Sequence, residues 1–133
     1  MAVRGIRGAV TVEGNTPEAI AEATGALLDE MIARNTVDRE EIASAFFTTT
    51  PDLTADFPAY AARQRGWLTV PLICGHEMNV AGALPLCVRV LLHVNTDLPQ
   101  KDIRHVYLRG AVVLRRDLVE RFGQSDTPDD DDR

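Results

Sequence analysis

The chain has 133 residues, an apolar fraction of 45% and a formal net charge of −6. That is one domain with enough apolar material for a core, which excludes global disorder. The last nine residues hold five aspartates and one arginine, so the rest of the chain is nearly balanced; with no basic surplus, nucleic acid and anionic membrane are excluded as partners.

Val3 to Glu13 reads as a strand, with Ile6, Val10 and Val12 on one face and Arg7, Thr11 and Glu13 on the other. Gly14-Asn15 turns the chain. Thr16 is a good N-cap, with Pro17 at the first helical position and Glu18 in the first turn. Ile20, Ala23, Leu27 and Met31 recur at helical spacing and predict a long helix to about Asn35. Asp38 and Glu41 suggest a capped turn before a second strand, Ile42 to Thr49. Thr50-Pro51-Asp52 breaks that strand. Phe57 to Gln64 predicts a short helix ended by Gly66. Trp67 to Cys74 reads as the third strand and Leu86 to Asn95 as the fourth, separated by a loop at Gly82 to Pro85. A helical turn is expected over Gln100 to Ile103. His105 to Leu108 and Ala111 to Leu114 read as short extended pieces around Gly110.

These elements predict an α+β (mixed α/β) fold: a five-stranded mixed sheet with one long and one short helix. Two such helices cannot cover both faces of the sheet. The uncovered face is therefore expected to be buried by further copies of the chain. Residues 1–120 read as the folded domain and residues 121–133 as an acidic, disordered tail. Arg4 and Arg7 interrupt the start, and no apolar run approaches the ~20 residues of a membrane span. Cys74 and Cys87 lack the spacing of a metal site or a disulfide scaffold. Free thiols point to a reducing, cytoplasmic location.

The most informative chemistry lies in Cys87-Val88-Arg89-Val90-Leu91-Leu92, an apolar run with one charge in its middle. Such a run reads as a strand buried on both faces. Removing a guanidinium from water costs several kcal/mol unless it is paired and hydrogen-bonded. Arg89 therefore needs a resident carboxylate, for which Glu77 is the local candidate, or a site that receives an anion. The residues alone leave both open. Arg7, near Gly5 and Gly8, reads singly as an exposed strand arginine, although the glycines permit close approach. Arg115 and Arg116 read as a solvated pair or a closing clamp. Glu77 follows the apolar strand end Val70-Pro71-Leu72-Ile73-Cys74, a place where loops carry functional groups on a rigid scaffold. His76, His93 and His105 have no metal-ligand spacing, so no metal is expected. Each cysteine reads as a small buried hydrophobe, and Tyr107 as a core aromatic with a polar tip.

Taken together, the dispersed motifs have a specific order. They are Arg4-Gly5-Ile6-Arg7-Gly8-Ala9, Thr50-Pro51-Asp52-Leu53 with Phe57-Pro58-Ala59, and Val70-Pro71 leading to Glu77-Met78. Cys87-Val88-Arg89-Val90, Arg104-His105-Val106-Tyr107-Leu108 and Ala111-Val112-Val113-Leu114-Arg115 follow. The set resembles the monofunctional, trimeric pseudo-α/β-barrel class of chorismate mutases, not the all-helical class, over about residues 3–118. The resemblance implies a homotrimer with active sites in clefts between subunits. The reaction it implies is the cofactor-free rearrangement of chorismate to prephenate, the branch step toward phenylalanine and tyrosine.

By the same resemblance, Arg89 is the cation facing the breaking ether bond. Arg7 binds the enolpyruvyl carboxylate beside the Tyr107 phenol. Glu77 and Cys74 receive the ring hydroxyl and orient the ring, and Glu77 also partners Arg89. Phe57 and Leu114 wall the pocket, with Ala59 and Ile73 also against substrate. Arg63 lies near the mouth, and Arg115 belongs to a closing tail. The chain departs from the pattern at a shortened Arg63–Trp67 link, at Tyr60 where a lysine can occur, and at Arg116 in place of a proline. Two alternatives remain at this point. One is a trimeric small-carboxylate enzyme of the enamine/imine deaminase type, although its expected C-terminal arginine-then-glutamate order is missing. The other is a non-catalytic anion-binding trimer.

Overall fold

The computed structural model describes residues 1–116; the proposed tail, 121–133, lies outside them. Five strands form one mixed sheet: β1 (Ala2–Thr11), β2 (Ile42–Thr49), β3 (Leu72–His76), β4 (Cys87–Thr96) and β5 (Val106–Leu108). Two α-helices accompany it, α1 (Pro17–Asn35) and α2 (Tyr60–Gln64), and residues 112–116 are also helical. The strand order is β3-β2-β4-β1-β5. β4 runs antiparallel to both β1 and β2, while β5 is parallel to β1 and β3 is parallel to β2.

α1 starts where local chemistry directs. The Thr16 side chain accepts a hydrogen bond from Ala19 N at 3.1 Å, and Pro17 opens the first turn. Its buried residues Ile20, Ala23, Leu27, Leu28 and Met31 lie in one core cluster with Ile6, Val10, Phe47, Val88, Val90, Leu92 and Val94. Full burial of each large aliphatic side chain contributes about 1.5–3 kcal/mol. The helix lies close to β1 at Gly8, where a Cβ would sit 2.4 Å from Met31 Sδ and 3.0 Å from Leu27 Cδ1. A Cβ at that position requires the Met31 and Leu27 side chains to shift.

The far end of α1 is tied by a buried amide. Asn35 Nδ2 donates to Met31 O at 3.0 Å and Arg104 O at 2.9 Å, and Asn35 Oδ1 accepts from Arg104 N at 2.8 Å. One side chain thus satisfies both main-chain groups of Arg104. α2 is tied to α1 by Arg65, which grips Asp29 with Nε at 2.8 Å and Nη2 at 2.9 Å. The guanidinium holds the Asp29 carboxyl below its usual range, against an opposing desolvation.

Four expectations require correction. Trp67 to Val70 is not strand. Gly66 takes φ 84° past the end of α2, and Trp67 N donates to Ala62 O at 3.1 Å. Trp67 is thereby turned into the helix-side core, and the strand begins only at Leu72. Ala111 to Leu114 is not extended. Arg109 at φ 57° reverses the chain after β5, a 3₁₀ turn covers Arg109–Ala111, and residues 112–116 are helical. The short helix is confined to Tyr60–Gln64, with Pro58 and Ala59 in the preceding turn. Finally, β4 is covered on one face only. Val88, Val90, Leu92 and Val94 are buried under α1, whereas Arg89, Leu91 and His93 are half-buried on the opposite face. That open face carries exposed Val3, Phe46 and Ile73 on neighbouring strands, as expected from the shortage of helices.

Asn35→Ala should lower unfolding free energy by about 2–4 kcal/mol, because it strands both main-chain groups of Arg104; urea denaturation measures it. For Asp29 the folded carboxyl binds its proton less readily than the unfolded one, so its stabilisation is full above the ordinary value of 3.8 and is lost as pH falls through the lower folded value. Asp29 is largely exposed, so the pair contributes at most ~1 kcal/mol. The Tm difference between the wild type and Asp29→Asn should be small at pH 7 and should shrink as pH falls below 3.8 in thermal scans.

Candidate active site

β1 and β4 place two arginines on the open face. Ala9 lies directly opposite Arg89, and Arg7 opposite Leu91, so Arg7 and Arg89 are diagonal neighbours on one side of the sheet. Ala9 also pairs with Tyr107 of β5, which brings the phenol-bearing strand to the same face. From β2, Thr48 lies opposite Arg89 on its other flank. Glu77, just past β3, completes the group. Its N–H donates to Thr49 O at 2.8 Å, and its Oε2 accepts from Thr48 Oγ1. Glu77 Oε2 lies 3.9 Å from Arg89 Nε, attractive in charge but too far for a hydrogen bond. Arg89 Nε is buried and makes no hydrogen bond among the described residues. Among the described residues of this group, two guanidinium groups stand against one carboxylate.

The floor of the group is apolar. Ala9, Cys87 and Ala111 form a small buried cluster against which Tyr107, Leu84 and Leu114 pack. Burial pushes the Cys87 thiol upward in pKa, opposed by the nearby Arg89 charge, so it is filler rather than a thiolate nucleophile.

Two anchors fix the positions of the arginines. Arg7 N donates to His105 Nδ1 at 3.0 Å, which defines a neutral imidazole protonated at Nε2. At the start of β4, Leu86 has φ 50° and its N–H donates to Asp52 Oδ2 at 3.1 Å. Cys87 N donates to Thr50 Oγ1 and Thr50 N to Cys87 O, both at 3.0 Å. The Thr50-Pro51-Asp52 turn therefore sets the register in which Arg89 meets Thr48. Thr48 carries no signal in the sequence, and His105 enters there only as a motif member and a discounted metal ligand. Thr48 is placed by cross-strand register and His105 by its bond to the Arg7 backbone, neither of which a single chain's spacing reveals.

A second group of expected site residues lies elsewhere. Cys74 pairs in register with Phe47, which points into the helix-side core, and Cys74 packs against that core. Burial raises its thiol pKa; a backbone hydrogen bond with Ala59 and the Arg63 charge oppose this. Ala59, Arg63 and Cys74 are therefore neighbours, on the opposite side of the sheet from Arg89. Phe57 stands 71% exposed at the entrance to α2. Its loop is held by Asn15 Oδ1, which accepts from Thr54 N and Ala55 N, both at 2.9 Å. Ile73 points to the open face beside Phe46 at the sheet edge. The structure thus brings Arg7, Glu77, Arg89, Tyr107 and Leu114 together. It does not bring Cys74 to Glu77 within one chain. Arg115 lies one residue beyond Leu114 on the helical segment. Among the described residues, no group of three or more His, Cys, Asp or Glu is placed to hold a metal ion.

The family model for chorismate mutase type I matches residues 3–118. The chain belongs to that family. It is 56% identical over 117 residues to chorismate mutase AroH of Thermus thermophilus, covering 87% of this chain and 96% of that protein. It is 50% identical over 119 residues to chorismate mutase AroH of Bacillus subtilis strain 168, covering 89% of this chain and 94% of that protein. A solved chorismate mutase from Clostridium thermocellum superposes with a TM-score of 0.81 at 50% identity, covering 82% of this chain and 97% of that one. The type I match over nearly the whole folded chain sets aside the deaminase alternative.

Proposed function

We propose that the open-face group binds chorismate and that Arg89 stabilises the transition state of its rearrangement to prephenate. The reaction is intramolecular. One C–O bond breaks as one C–C bond forms, and no proton changes hands. A protein accelerates such a step by selecting the compact conformer and by meeting the charge that grows on the ether oxygen. The observation that supports this reading is Arg89 itself, whose buried Nε has no hydrogen-bond partner among the described residues and stands 3.9 Å from Glu77. A donor held in that state is ready for an acceptor supplied by substrate. Glu77, fixed by Thr48, keeps the guanidinium oriented and is positioned to receive the ring hydroxyl. Arg7, diagonal to Arg89 and beside the Tyr107 strand, is suited to the enolpyruvyl carboxylate.

We further infer that a complete site needs two copies of the chain. The Arg7–Glu77–Arg89–Tyr107 group and the Ala59–Arg63–Cys74 group lie on opposite sides of one sheet, and one small dianion cannot touch both. The homotrimer implied by the sequence resemblance solves this, since the open face of one subunit meets the β3–α2 edge of the next. It also covers the exposed Val3, Phe46 and Ile73. Phe57, Ala59, Arg63 and Cys74 then close one wall of the cleft, with Ile73 at the sheet edge beside them, while Leu114 and Arg115 close the other. No described helix is long and apolar enough to cross a membrane. A cytoplasmic location suits the two free thiols.

Arg89→Ala should lower kcat for chorismate at least ~100-fold, a loss of about 3 kcal/mol of transition-state stabilisation, with a much smaller change in KM. Loss of chorismate absorbance measures it; an unchanged kcat would assign Arg89 a purely structural role. Subunit exchange tests the shared site. Arg89→Ala and Arg63→Glu chains, each nearly inactive alone, should regain roughly a quarter of wild-type activity when refolded together by random assortment. Failure of the mixed sample to exceed its parents would place both groups in one subunit's own site.

A further inference from the structure

Arg109 stands immediately after β5 with φ 57°, a left-handed conformation that glycine adopts more readily than arginine. Its side chain reaches across to α1 and forms a two-pronged pair with Glu22, Nη1 to Oε1 at 3.0 Å and Nη2 to Oε2 at 2.7 Å. The next residue, Gly110, is pressed against the end of β1. Its N–H donates to Thr11 Oγ1 at 2.9 Å, and a Cβ there would lie 2.9 Å from Thr11 Cγ2. From this turn the chain enters the 112–116 helical segment, with Ala111 and Leu114 packed on the Ala9–Cys87 floor of the site.

We propose that the Glu22–Arg109 pair is a positioning device for the segment that closes the chorismate site. It fixes the direction in which the chain leaves β5, so that Leu114 and Arg115 fall over the face holding Arg7, Arg89 and Tyr107. Neither Glu22 nor Arg109 touches substrate. The bidentate grip, with Gly110 seated on Thr11, gives the segment one exit direction where a free turn would allow several. An arginine at a position that favours glycine is accounted for by the work of its side chain. Glu22 is the first partner and Glu13 contributes a weaker attraction, so the carboxyl face around Arg109 belongs to α1 and the end of β1. The proposal rests on the reading that Leu114 and Arg115 close the site.

The test uses the full-length enzyme and the variants Glu22→Gln, Arg109→Gly and Arg115→Ala. Arg109→Gly relieves the left-handed strain and should remain folded, with Tm no lower than wild type by more than a few degrees. Both Glu22→Gln and Arg109→Gly should raise KM for chorismate about five- to tenfold, while kcat changes less than about twofold. Trypsin should cleave after Arg115 or Arg116 several-fold faster in these variants, as read by mass spectrometry. Glu22→Gln combined with Arg115→Ala should be no worse than Arg115→Ala alone. The charge-reversed double variant Glu22→Arg/Arg109→Glu should recover much of the lost affinity. If Arg115→Ala raises KM but Glu22→Gln and Arg109→Gly do not, the positioning role is overturned and the closing role of Arg115 stands. If Arg115→Ala itself leaves KM unchanged, the closing role falls and the positioning role with it. A fall in kcat and a rise in KM that merely track Tm would show a general structural role instead.

Discussion

The antiparallel pairing of β1 with β4 decides which side chains this molecule buries and which it keeps for chemistry. Ile6, Val10, Val88, Val90 and Leu92 face α1, so Arg7, Ala9, Arg89 and Leu91 must face the other way. A slip of either strand by one residue would drive its arginine beneath the helix and its core residues into the open. Such a slip is opposed from several directions. Gly8 leaves room for the Met31 and Leu27 side chains of α1 to pack directly on β1. The Asp52–Thr50 turn grips the first residues of β4, and His105 grips the backbone of Arg7. Stability and site geometry therefore depend on the same register.

That register also separates the site into halves. The open face holds the two arginines, Glu77 and Tyr107, and the β3–α2 side holds Cys74, Ala59 and Arg63. A sheet lies between them. The arrangement joins two properties that are often treated apart: an uncovered apolar face on the sheet, and a proposed anion site lacking one wall. The proposed assembly of three chains meets both needs with one surface. In a cleft closed in this way, lower effective dielectric strengthens the arginine contacts with a growing negative charge.

The C-terminal part of the described chain follows another logic. Here the backbone takes a left-handed turn at Arg109, and the helical segment after it lies on the floor of the site through Leu114. Closure by such a segment depends on its exit direction more than on its intrinsic stability. A surface pair such as Glu22–Arg109 contributes modestly to folding, yet in the proposed positioning role it sets the direction in which this segment leaves β5.

Much was decided by the order of residues alone. The Thr16–Pro17 start of α1, the limits of Ile42–Thr49 and the apolar alternation of β4 follow from local chemistry that each segment carries with it. The dispersed arginine motifs identify the family because they survive as words in order. Even the separation of Cys74 from Glu77 had a trace in the sequence, since an odd spacing along a strand points to opposite faces. Tertiary structure decided the rest. Trp67 left the predicted strand because Gly66 turned it into a core assembled from distant segments. Ala111 to Leu114 became helical because a short apolar run fits strand or helix until a surface is offered to it, and the Ala9–Cys87 floor offered that surface. Thr48 met Arg89 only through pairing across strands, and His105 met the Arg7 backbone only through its side chain. Local propensity acts between near neighbours in the chain, whereas register and burial act between residues that only folding brings together.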